Sequence, residues 1–378
     1  MVAPTRYPSG ISTFKPNHVL NTFPMVPSTS QVSAIQEFMP YIAGAWTVTS
    51  TTSTIGAGIW NAVGGALIAG QNSGLTSLAV TTASGGLAAL TLNGNVATDC
   101  PIQFIPGNQV WFNVQVAHDS NFLADATVVS RYGLFSNEAT PVGTVVNGVY
   151  FEKTAAAGGA LNLVIKNKGL TGTTVTTTIN NVADISKPSG IYGDTSSSVG
   201  TLTTGGAANK YTSVVVATAG SGYAQAPLVR TIGANASAPY AHVYCQVQNN
   251  GLYAPYLANV GGSGYTTFTN EVNHFVDLSL YYDGKGKLFA GVNGRVVATI
   301  GSDGNTILAA GGTATSGNSF YVTNTAMTTS ISPVLPAAGT FDNIMPMSPL
   351  AAGLGYLLNT NATNIMFCDS LQVGCDNN

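Results

Sequence analysis

The sequence predicts an all-β, antiparallel fold, and three observations support this prediction. Short runs of alternating apolar and polar residues recur along the chain, turn residues separate them, and hardly any segment shows the 3.6-residue period of a helix. The clearest example is a three-strand meander over residues 275–300, in which Asp283-Gly284 and Asn293-Gly294 each mark a hairpin turn. Strands of this length at regular spacing indicate a β-sandwich or a closed barrel.

Residues 1–40 are predicted to form an extended N-terminal arm. Prolines at positions 4, 8, 16, 24, 27 and 40 discourage both helix and central strand, although residues 31–39 are expected to form one or two helical turns. A disordered tail is usually poor in large apolar residues. This segment is rich in them, so we expect it to lie on another protein surface or on its own domain. The candidate residues for contact with such a surface are Tyr7, Ile11, Phe14, Phe23 and Met25.

Residues 41–185 and 271–378 are predicted to be two parts of one sandwich. The expected strands of the first part are 45–52, 110–117, 126–135, 148–153, 160–166 and 173–179. Along 110–117 the apolar residues at even positions should form one face, and Trp111 should belong to the other. A closing strand is predicted over 363–374, and we expect the N-terminal and C-terminal strands to lie together in one sheet.

Residues 186–270 are predicted to be an inserted small β unit. Gly220-Ser221-Gly222-Tyr223 recurs forty-two positions later as Gly262-Ser263-Gly264-Tyr265, and such repeats often mark one small structural unit. The glycines are interpreted as turn residues, because no Lys-Ser/Thr follows them as it would in a phosphate-binding loop.

Four tyrosines of this insert are candidate interface residues: Tyr240, Tyr244, Tyr253 and Tyr256. Aromatic residues dominate both cores and interfaces, so we interpret the four as the core of the insert and its contacts to neighbouring subunits. Glycan recognition, which uses exposed aromatics with a few amides, remains the alternative.

The charge content is very low. Only 7% of residues are charged, against roughly 25% in an average soluble domain, and residues 38–98 and 304–341 contain no charged side chain. A solitary domain keeps surface charges for solubility, so this composition favours a subunit whose surface is covered by other protein. The net charge of −3 gives no basic footprint for nucleic acid, and no apolar run approaches the ~20 residues of a membrane-spanning helix. The N-terminal residues lack the apolar segment of a secretory signal.

Three sets of residues, in this order along the chain, are similar to one family: 6–10 with 41–48; 110–114 with 129–135 and 147–151; and 280–287. Together they resemble a tailed-bacteriophage virion structural protein, a head decoration or cement protein with a concanavalin A-like jelly-roll domain. The resemblance implies a place on the capsid exterior after assembly in the host cytoplasm. It implies contacts with the major capsid protein. This chain departs from the family pattern by inserting roughly 85 residues before the Tyr-Tyr-Asp-Gly strand.

No catalytic, metal or cofactor site is predicted. A retaining glucanase needs two carboxylates ~5–5.5 Å apart, and none of Glu37, Glu138, Glu152 and Glu271 is followed by a second acid two or four residues later. The four histidines are scattered, and the four cysteines are expected to be buried or unpaired thiols. The chain is therefore expected to be a structural protein and not an enzyme.

The alternative function is a lectin-like adhesin on a phage fibre or spike, which would bind a host surface glycan. For either function we expect self-association, most simply a homotrimer, because closed symmetry is the default for homo-oligomers and capsid lattices offer three-fold positions.

Overall fold

A computed structural model describes residues 31–37, 46–50, 53–56, 76–80, 86–92, 102–105, 107–136, 145–168, 174–232, 241–259, 263–285, 287–302, 320–324, 345–346, 348–358 and 364–376. The strands in these ranges are β1 (Gln31–Glu37), β2 (Trp46–Ser50), β3 (Ser53–Gly56), β4 (Thr76–Val80), β5 (Gly86–Leu92), β6 (Val110–His118), β7 (Val129–Phe135), β8 (Gly148–Lys153), β9 (Ala160–Lys168), β10 (Thr174–Asp184), β11 (Thr201–Ala207), β12 (Lys210–Thr218), β13 (Leu228–Ile232), β14 (His242–Gln248), β15 (Gly251–Asn259), β16 (Thr269–Asn273), β17 (Val276–Tyr282), β18 (Leu288–Val292), β19 (Arg295–Ser302), β20 (Phe320–Asn324), β21 (Ala351–Leu358) and β22 (Asn364–Asp376). One short helix, α1 (Ser120–Ala124), follows β6.

Two large antiparallel sheets form a jelly-roll sandwich, which confirms the predicted fold class. In the described ranges the first sheet has nine strands in the order β20-β19-β18-β17-β6-β22-β4-β3, with β1 also paired to β22. The second sheet has seven strands in the order β10-β9-β8-β7-β21-β5-β2. Strands that are consecutive in sequence, such as β17, β18 and β19, lie side by side. By contrast, β6 and β22 pair although most of the chain separates them in sequence.

The predicted alternation of β6 is confirmed. Phe112 and Val114 are fully buried between the sheets, and in the neighbouring strand they pair with Leu280 and Leu278. Trp111 lies on the outer face, where it pairs with Tyr281 and packs against it. The inner faces of the two sheets therefore form one continuous apolar core, to which the second sheet contributes residues such as Leu134, Val149, Phe151, Leu163 and Leu354.

The predicted meander is present, with one difference in its turns. Val292 pairs with Arg295, so Asn293 and Gly294 form a two-residue turn with φ of 47° and 80°, as a type I′ turn requires. The first connection is longer, because Tyr282 pairs with Leu288 and leaves five residues between the strands. There the Asp283 carboxylate accepts hydrogen bonds from the backbone N–H groups of residues 285 and 287.

The expectation of helical turns over residues 31–39 is wrong for Gln31–Glu37, which is strand β1. It pairs antiparallel with the second half of β22, from Gln31 opposite Asp376 to Glu37 opposite Ser370. Seven consecutive ladder pairs outweigh a weak local helical preference. The strand nearest the N-terminus among those described, β1, thus shares a sheet with β22, whereas the first predicted sandwich strand, 45–52, corresponds to β2 and lies at the edge of the other sheet, so the expected pairing of that strand with the closing strand is wrong. The candidate arm residues Tyr7, Ile11, Phe14, Phe23 and Met25 lie outside the described residues.

Between β10 and β17 the described residues form three two-stranded ribbons: β11–β12, β13–β16 and β14–β15. They enclose their own apolar clusters, one around Leu202, Tyr223 and Val243 and a second around Tyr211 and Tyr265. The last strand of this region ends at Asn273, three residues beyond the predicted insert.

The insert is joined to the sandwich along the outer face of the nine-stranded sheet. Leu228 of β13 packs with Ala117, Phe275, Ile365 and Phe367. Beside this apolar joint, the Gln115 amide donates to the side chain of Gln225 at 2.7 Å.

In the described part of the chain, no helix is long and apolar enough to cross a membrane.

Candidate binding surface

The two copies of the repeated motif are related by an approximate two-fold axis through the β13–β16 ribbon. Leu228 pairs with Asn273, and Thr231 pairs with Asn270. Four residues of each strand have a counterpart forty-two positions away in the other, since 228–231 correspond to 270–273. The pairing is therefore unchanged when the two copies are exchanged. The insert is an internal duplication, and hairpins β11–β12 and β14–β15 are equivalent halves.

The tyrosine of each Gly-Ser-Gly-Tyr copy forms hydrogen bonds within its own half of the insert and with the other half. The Tyr223 hydroxyl accepts a hydrogen bond from the Gly200 N–H, and the Tyr265 hydroxyl accepts one from the Ala241 N–H, both at 2.9 Å. The backbone N–H of Tyr223 donates to Asn250 in the β14–β15 turn, and that of Tyr265 donates to Asn209 in the β11–β12 turn. Each motif thus contacts the turn of the opposite hairpin.

The predicted turn role of the glycines is confirmed at three positions. Gly220, Gly222 and Gly264 have φ of 64°, 85° and 75°. A Cβ at Gly220 would lie 2.4 Å from the backbone nitrogen of Gly200, so a side chain is excluded there by space as well as by φ.

The structure places three of the four candidate insert tyrosines on one hairpin. Tyr244 is on β14, and Tyr253 and Tyr256 are on β15, whereas Tyr240 lies outside the described residues. The rings of Tyr244 and Tyr256 are stacked, with centroids 5.2 Å apart and planes 19° apart. Tyr253 and Tyr256 are 50% and 51% exposed, so they are not part of the insert core, which corrects that part of the interpretation.

A β-bulge brings these side chains to the same face. Residues three apart on a regular strand point to opposite sides, but the register shifts between Tyr244 and Gln246, so that Tyr256 pairs with Tyr244 and Tyr253 pairs with Gln246. Ala254 in the bulge has a φ of 41°, which is rare for a residue with a side chain. Tyr244, Gln246, Tyr253 and Tyr256 therefore form one outward surface, the tyrosine face.

The equivalent hairpin lacks this surface. Thr203 pairs with Val215 in β11–β12 at the place where Tyr244 pairs with Tyr256 in β14–β15, each residue being forty-one positions from its counterpart. The opposite face of each hairpin keeps its apolar character, as Leu202 and Val243 show in the shared core. The two hairpins thus share apolar residues on the face that packs in the core, whereas their outward faces differ and carry tyrosines in β14–β15 alone.

The exposed large apolar side chains of the described residues are confined to the region between β10 and β17. They are Tyr192, Val199, Val215, Tyr253 and Tyr256. Tyr253 and Tyr256 share the tyrosine face, and contiguous exposed apolar surface marks a contact site more often than single exposed side chains do.

The acidic side chains considered for catalysis are engaged elsewhere. The Glu152 carboxylate pairs with the Arg131 guanidinium at 2.6 Å. Glu271 accepts a hydrogen bond from the Ser120 N–H at 2.6 Å, and its other oxygen lies 3.5 Å from Arg230. Glu138 lies outside the described residues, and for Glu37 only the strand position is described.

Near this joint, Asp119 caps α1 by accepting a hydrogen bond from the Phe122 N–H, and burial raises its pKa to about 6. The described part of the chain contains no group of three or more His, Cys, Asp or Glu that could hold a metal ion.

Two buried histidines are part of the packing. His118 Nε2 lies 2.7 Å from the Tyr132 hydroxyl, which donates to Ser130, and burial lowers the pKa of His118 well below its usual value. His274 Nε2 lies 2.9 Å from the Ile185 carbonyl, and burial lowers the pKa of this imidazole to about 4. Both rings are therefore neutral at pH 7. Of the cysteines, Cys245, Cys368 and Cys375 are buried, as expected.

Comparison with known proteins gives no family. No family model matches the chain, and no curated protein matches it. Among solved structures, it is similar to an endo-1,3-beta-glucanase from Streptomyces sioyaensis, with 8% identity, a TM-score of 0.37, and coverage of 93% of this chain and 99% of the other. The Emp47p carbohydrate recognition domain gives 9% identity and a TM-score of 0.31, with the same coverages.

A third structure is the CBM2 module of the Lactobacillus casei BL23 phage J-1 evolved Dit, with 8% identity and a TM-score of 0.28 over 93% of this chain and 99% of that one. These identities and scores are too low to carry an argument about activity or ligand.

Proposed function

We propose that this chain is a non-enzymatic structural protein of a phage virion, which decorates and cements the capsid shell through protein–protein contacts. The observation that carries the proposal is the scarcity of surface charge. The chain has 12 Lys and Arg and 15 Asp and Glu among 378 residues. A surface with so few charges is poorly suited to a solitary protein and well suited to one covered by neighbours.

The fold lowers the surface charge further, because several of these few charges are buried. Lys153, Asp119 and Arg230 are at most 8% exposed, and Arg131 and Glu152 neutralise each other with side chains 12% and 16% exposed. The Lys153 ammonium donates to the backbone carbonyls of Asp125, Val128 and Ala156 instead of meeting solvent.

Strand β1 packs the last residues of the predicted arm on the chain's own domain, and we propose that residues 1–30 reach a neighbouring subunit from there. Its seven ladder pairs with β22 attach the base of the arm to the centre of the nine-stranded sheet. An arm that held a neighbouring capsid subunit would therefore be anchored to the sandwich through a full strand of backbone pairing. The partners we propose are the major capsid protein and further copies of this chain, most simply as a trimer.

Binding to purified empty capsids tests this function. A variant lacking residues 1–30 keeps β1 and should bind much more weakly than the full chain, whereas deletion of 1–40 would also remove a strand and confound the result. A virion reconstruction should show the sandwich distributed over the shell exterior, and light scattering should show an oligomer. Equal capsid binding without residues 1–30 would contradict their contact with a neighbouring subunit. Density confined to a tail fibre or spike would favour the adhesin alternative.

A further inference from the structure

We propose that the tyrosine face of the β14–β15 hairpin binds a neutral glycan chain. This binding function is additional to capsid decoration and stands on separate observations. It concerns Tyr244, Gln246, Tyr253 and Tyr256, which the bulge in β15 brings to one side of the hairpin.

The geometry suits a sugar ring. Pyranose rings have flat C–H faces that pack on aromatic rings, and their rim of hydroxyls needs hydrogen-bond donors and acceptors. The stacked Tyr244–Tyr256 pair and the half-exposed Tyr253 supply aromatic surface on neighbouring rungs, which lie ~7 Å apart along a strand. The exposed amide of Gln246 lies on the same face and supplies both a donor and an acceptor.

The electrostatics select a neutral ligand. Residues 231–270 contain no Asp, Glu, Lys or Arg, so the hairpin offers no cation to pair with a sulfated or carboxylated polymer. The face is an open strip on a ribbon, and such a strip suits an extended chain better than a single enclosed sugar. A standard protein interface covers roughly 800 Å² on each partner, which is far more than three tyrosine rings present.

The internal duplication shows that these tyrosines are not needed for folding. The equivalent hairpin forms with Thr203 and Val215 at the positions of Tyr244 and Tyr256. Thr212, which is forty-one positions before Tyr253, lies at the register shift of β12. An exposed aromatic cluster raises the risk of self-association, so its presence on one half alone indicates a contact made by that half.

Repeat-matched substitutions test the proposal. Tyr253→Thr and Tyr256→Val give β15 the residues that β12 already has, and the full-length double variant should fold as the natural chain does. Native gels containing dextran, mannan or galactan serve as probes, and polygalacturonate is the acidic control. The natural chain should be retarded by at least one neutral polymer. The double variant should bind that polymer about tenfold more weakly or worse, which corresponds to about 1.4 kcal/mol.

Two further variants complete the design. Val215→Thr changes the equivalent position of the other hairpin and should leave retardation unchanged. Tyr256→Phe keeps the aromatic ring and should retain most of the binding to the polymer. This variant tests ring stacking even if a thermal melt shows that the double variant is unstable. Capsid binding is measured in parallel and should be the same for all variants, which separates this site from the decoration function.

Several results would overturn the proposal. The proposal is wrong if none of the neutral polymers retards the natural chain, or if only polygalacturonate retards it. It is also wrong if the double variant is folded and is retarded as strongly as the natural chain. A double variant that loses an oligomer in light scattering, with unchanged retardation, would assign the tyrosine face to contacts between copies.

Discussion

The hydroxyl of Tyr223 accepts a hydrogen bond from the backbone N–H of Gly200 at 2.9 Å, at a point where both groups are buried. The ring of Tyr223 also packs in the main cluster of the insert with Leu252. One side chain therefore satisfies a buried backbone donor and fills the core. Its counterpart Tyr265 does the same for Ala241 in the other half.

Removing either hydroxyl should destabilise the insert. Tyr223→Phe and Tyr265→Phe each leave a buried N–H without its acceptor, which costs about 1–3 kcal/mol of unfolding free energy. Tyr253→Phe is the matched control, because Tyr253 is half exposed and its hydroxyl can be replaced by water. Urea unfolding followed by tyrosine fluorescence gives the comparison. Equal stability of all three variants would show that water replaces the tyrosine hydroxyls in the core as well.

Lys153 should be essential for the stability of the sandwich. Its ammonium is 1% exposed and donates to the carbonyls of Val128 and Ala156, at 3.2 and 2.5 Å, and to Asp125 at 3.3 Å. Lys153→Met leaves these carbonyls unsatisfied in an apolar setting, and we expect a loss of about 3–5 kcal/mol. Lys168→Met, at an exposed position at the end of β9, should change stability by less than about 0.5 kcal/mol. Thermal unfolding of both variants would show the difference, and a loss as small for Lys153 as for Lys168 would contradict the prediction.

Acid should destabilise the fold below pH 6.5, in part through His274. The folded-state pKa of about 4 is below the ordinary value of 6.5, so between these pH values the unfolded chain takes up a proton that the folded chain does not. The contribution of His274 to the unfolding free energy is therefore complete above pH 6.5. It decreases by roughly 2–3 kcal/mol as the pH drops towards 4. His274→Gln, whose amide can still donate to the Ile185 carbonyl, should flatten the curve. Urea unfolding at pH 4.5, 5.5 and 7 measures it.

Asp119 provides a control of opposite sign. Its pKa is raised from 3.8 to about 6, so the folded chain takes up the proton first and this group adds stability as the pH falls from 6 towards 4. Asp119→Asn keeps a capping oxygen for α1 but removes that gain, and the acid loss should become steeper. If His274→Gln leaves the pH dependence of the unfolding free energy unchanged while Asp119→Asn alters it, then His274 is not the group that causes the acid destabilisation.

Much of the sandwich could be predicted from local pattern, and the failures have a physical cause. The alternation of β6 is visible in the sequence because one face is apolar at every second residue, and Asn293-Gly294 fixes its own turn through positive φ. The Asp283 loop was not predictable, because its length is set by carboxylate hydrogen bonds to the N–H groups of residues 285 and 287. Strand β1 depends on pairing with β22, more than 300 residues away, which no local window contains.

The candidate site was only partly predictable. The sequence identified the tyrosines of the insert, but a regular strand would place Tyr253 and Tyr256 on opposite faces. Only the bulge at Ala254 unites them, and its place is fixed by the pairing with β14. The repeat of Gly-Ser-Gly-Tyr was visible, but its spacing of forty-two residues differs by one from the spacing of forty-one between the equivalent hairpins, so the repeat alone would have misaligned their residues. The hydrogen bonds that Tyr223 and Tyr265 form with the other half could not be predicted without the two-fold arrangement of the halves.

Replacing residues 190–270 with a short Gly-Ser linker should leave the sandwich folded. The two ends of the insert are close together, since His274 contacts the Ile185 carbonyl at 2.9 Å and Asn293 donates to Ser189 at 2.7 Å. A short linker can therefore close the gap at little entropic cost. The insert also has its own apolar clusters, so the main core between the two sheets stays intact without it.

The loss of stability in this linker variant should come from the apolar contact between Leu228 and the nine-stranded sheet. Loss of Leu228 uncovers Ala117, Ile365 and Phe367 on the outer face of the nine-stranded sheet, and we expect a decrease of roughly 2–4 kcal/mol in unfolding free energy. Leu228→Ala in the full chain is the matched control, because it opens the same joint while the insert remains. Both proteins should unfold in one cooperative transition of similar midpoint in urea. A linker variant that is insoluble or unfolds without cooperativity would show that the insert completes the core of the sandwich, since the loss of one apolar joint is too small to have that effect.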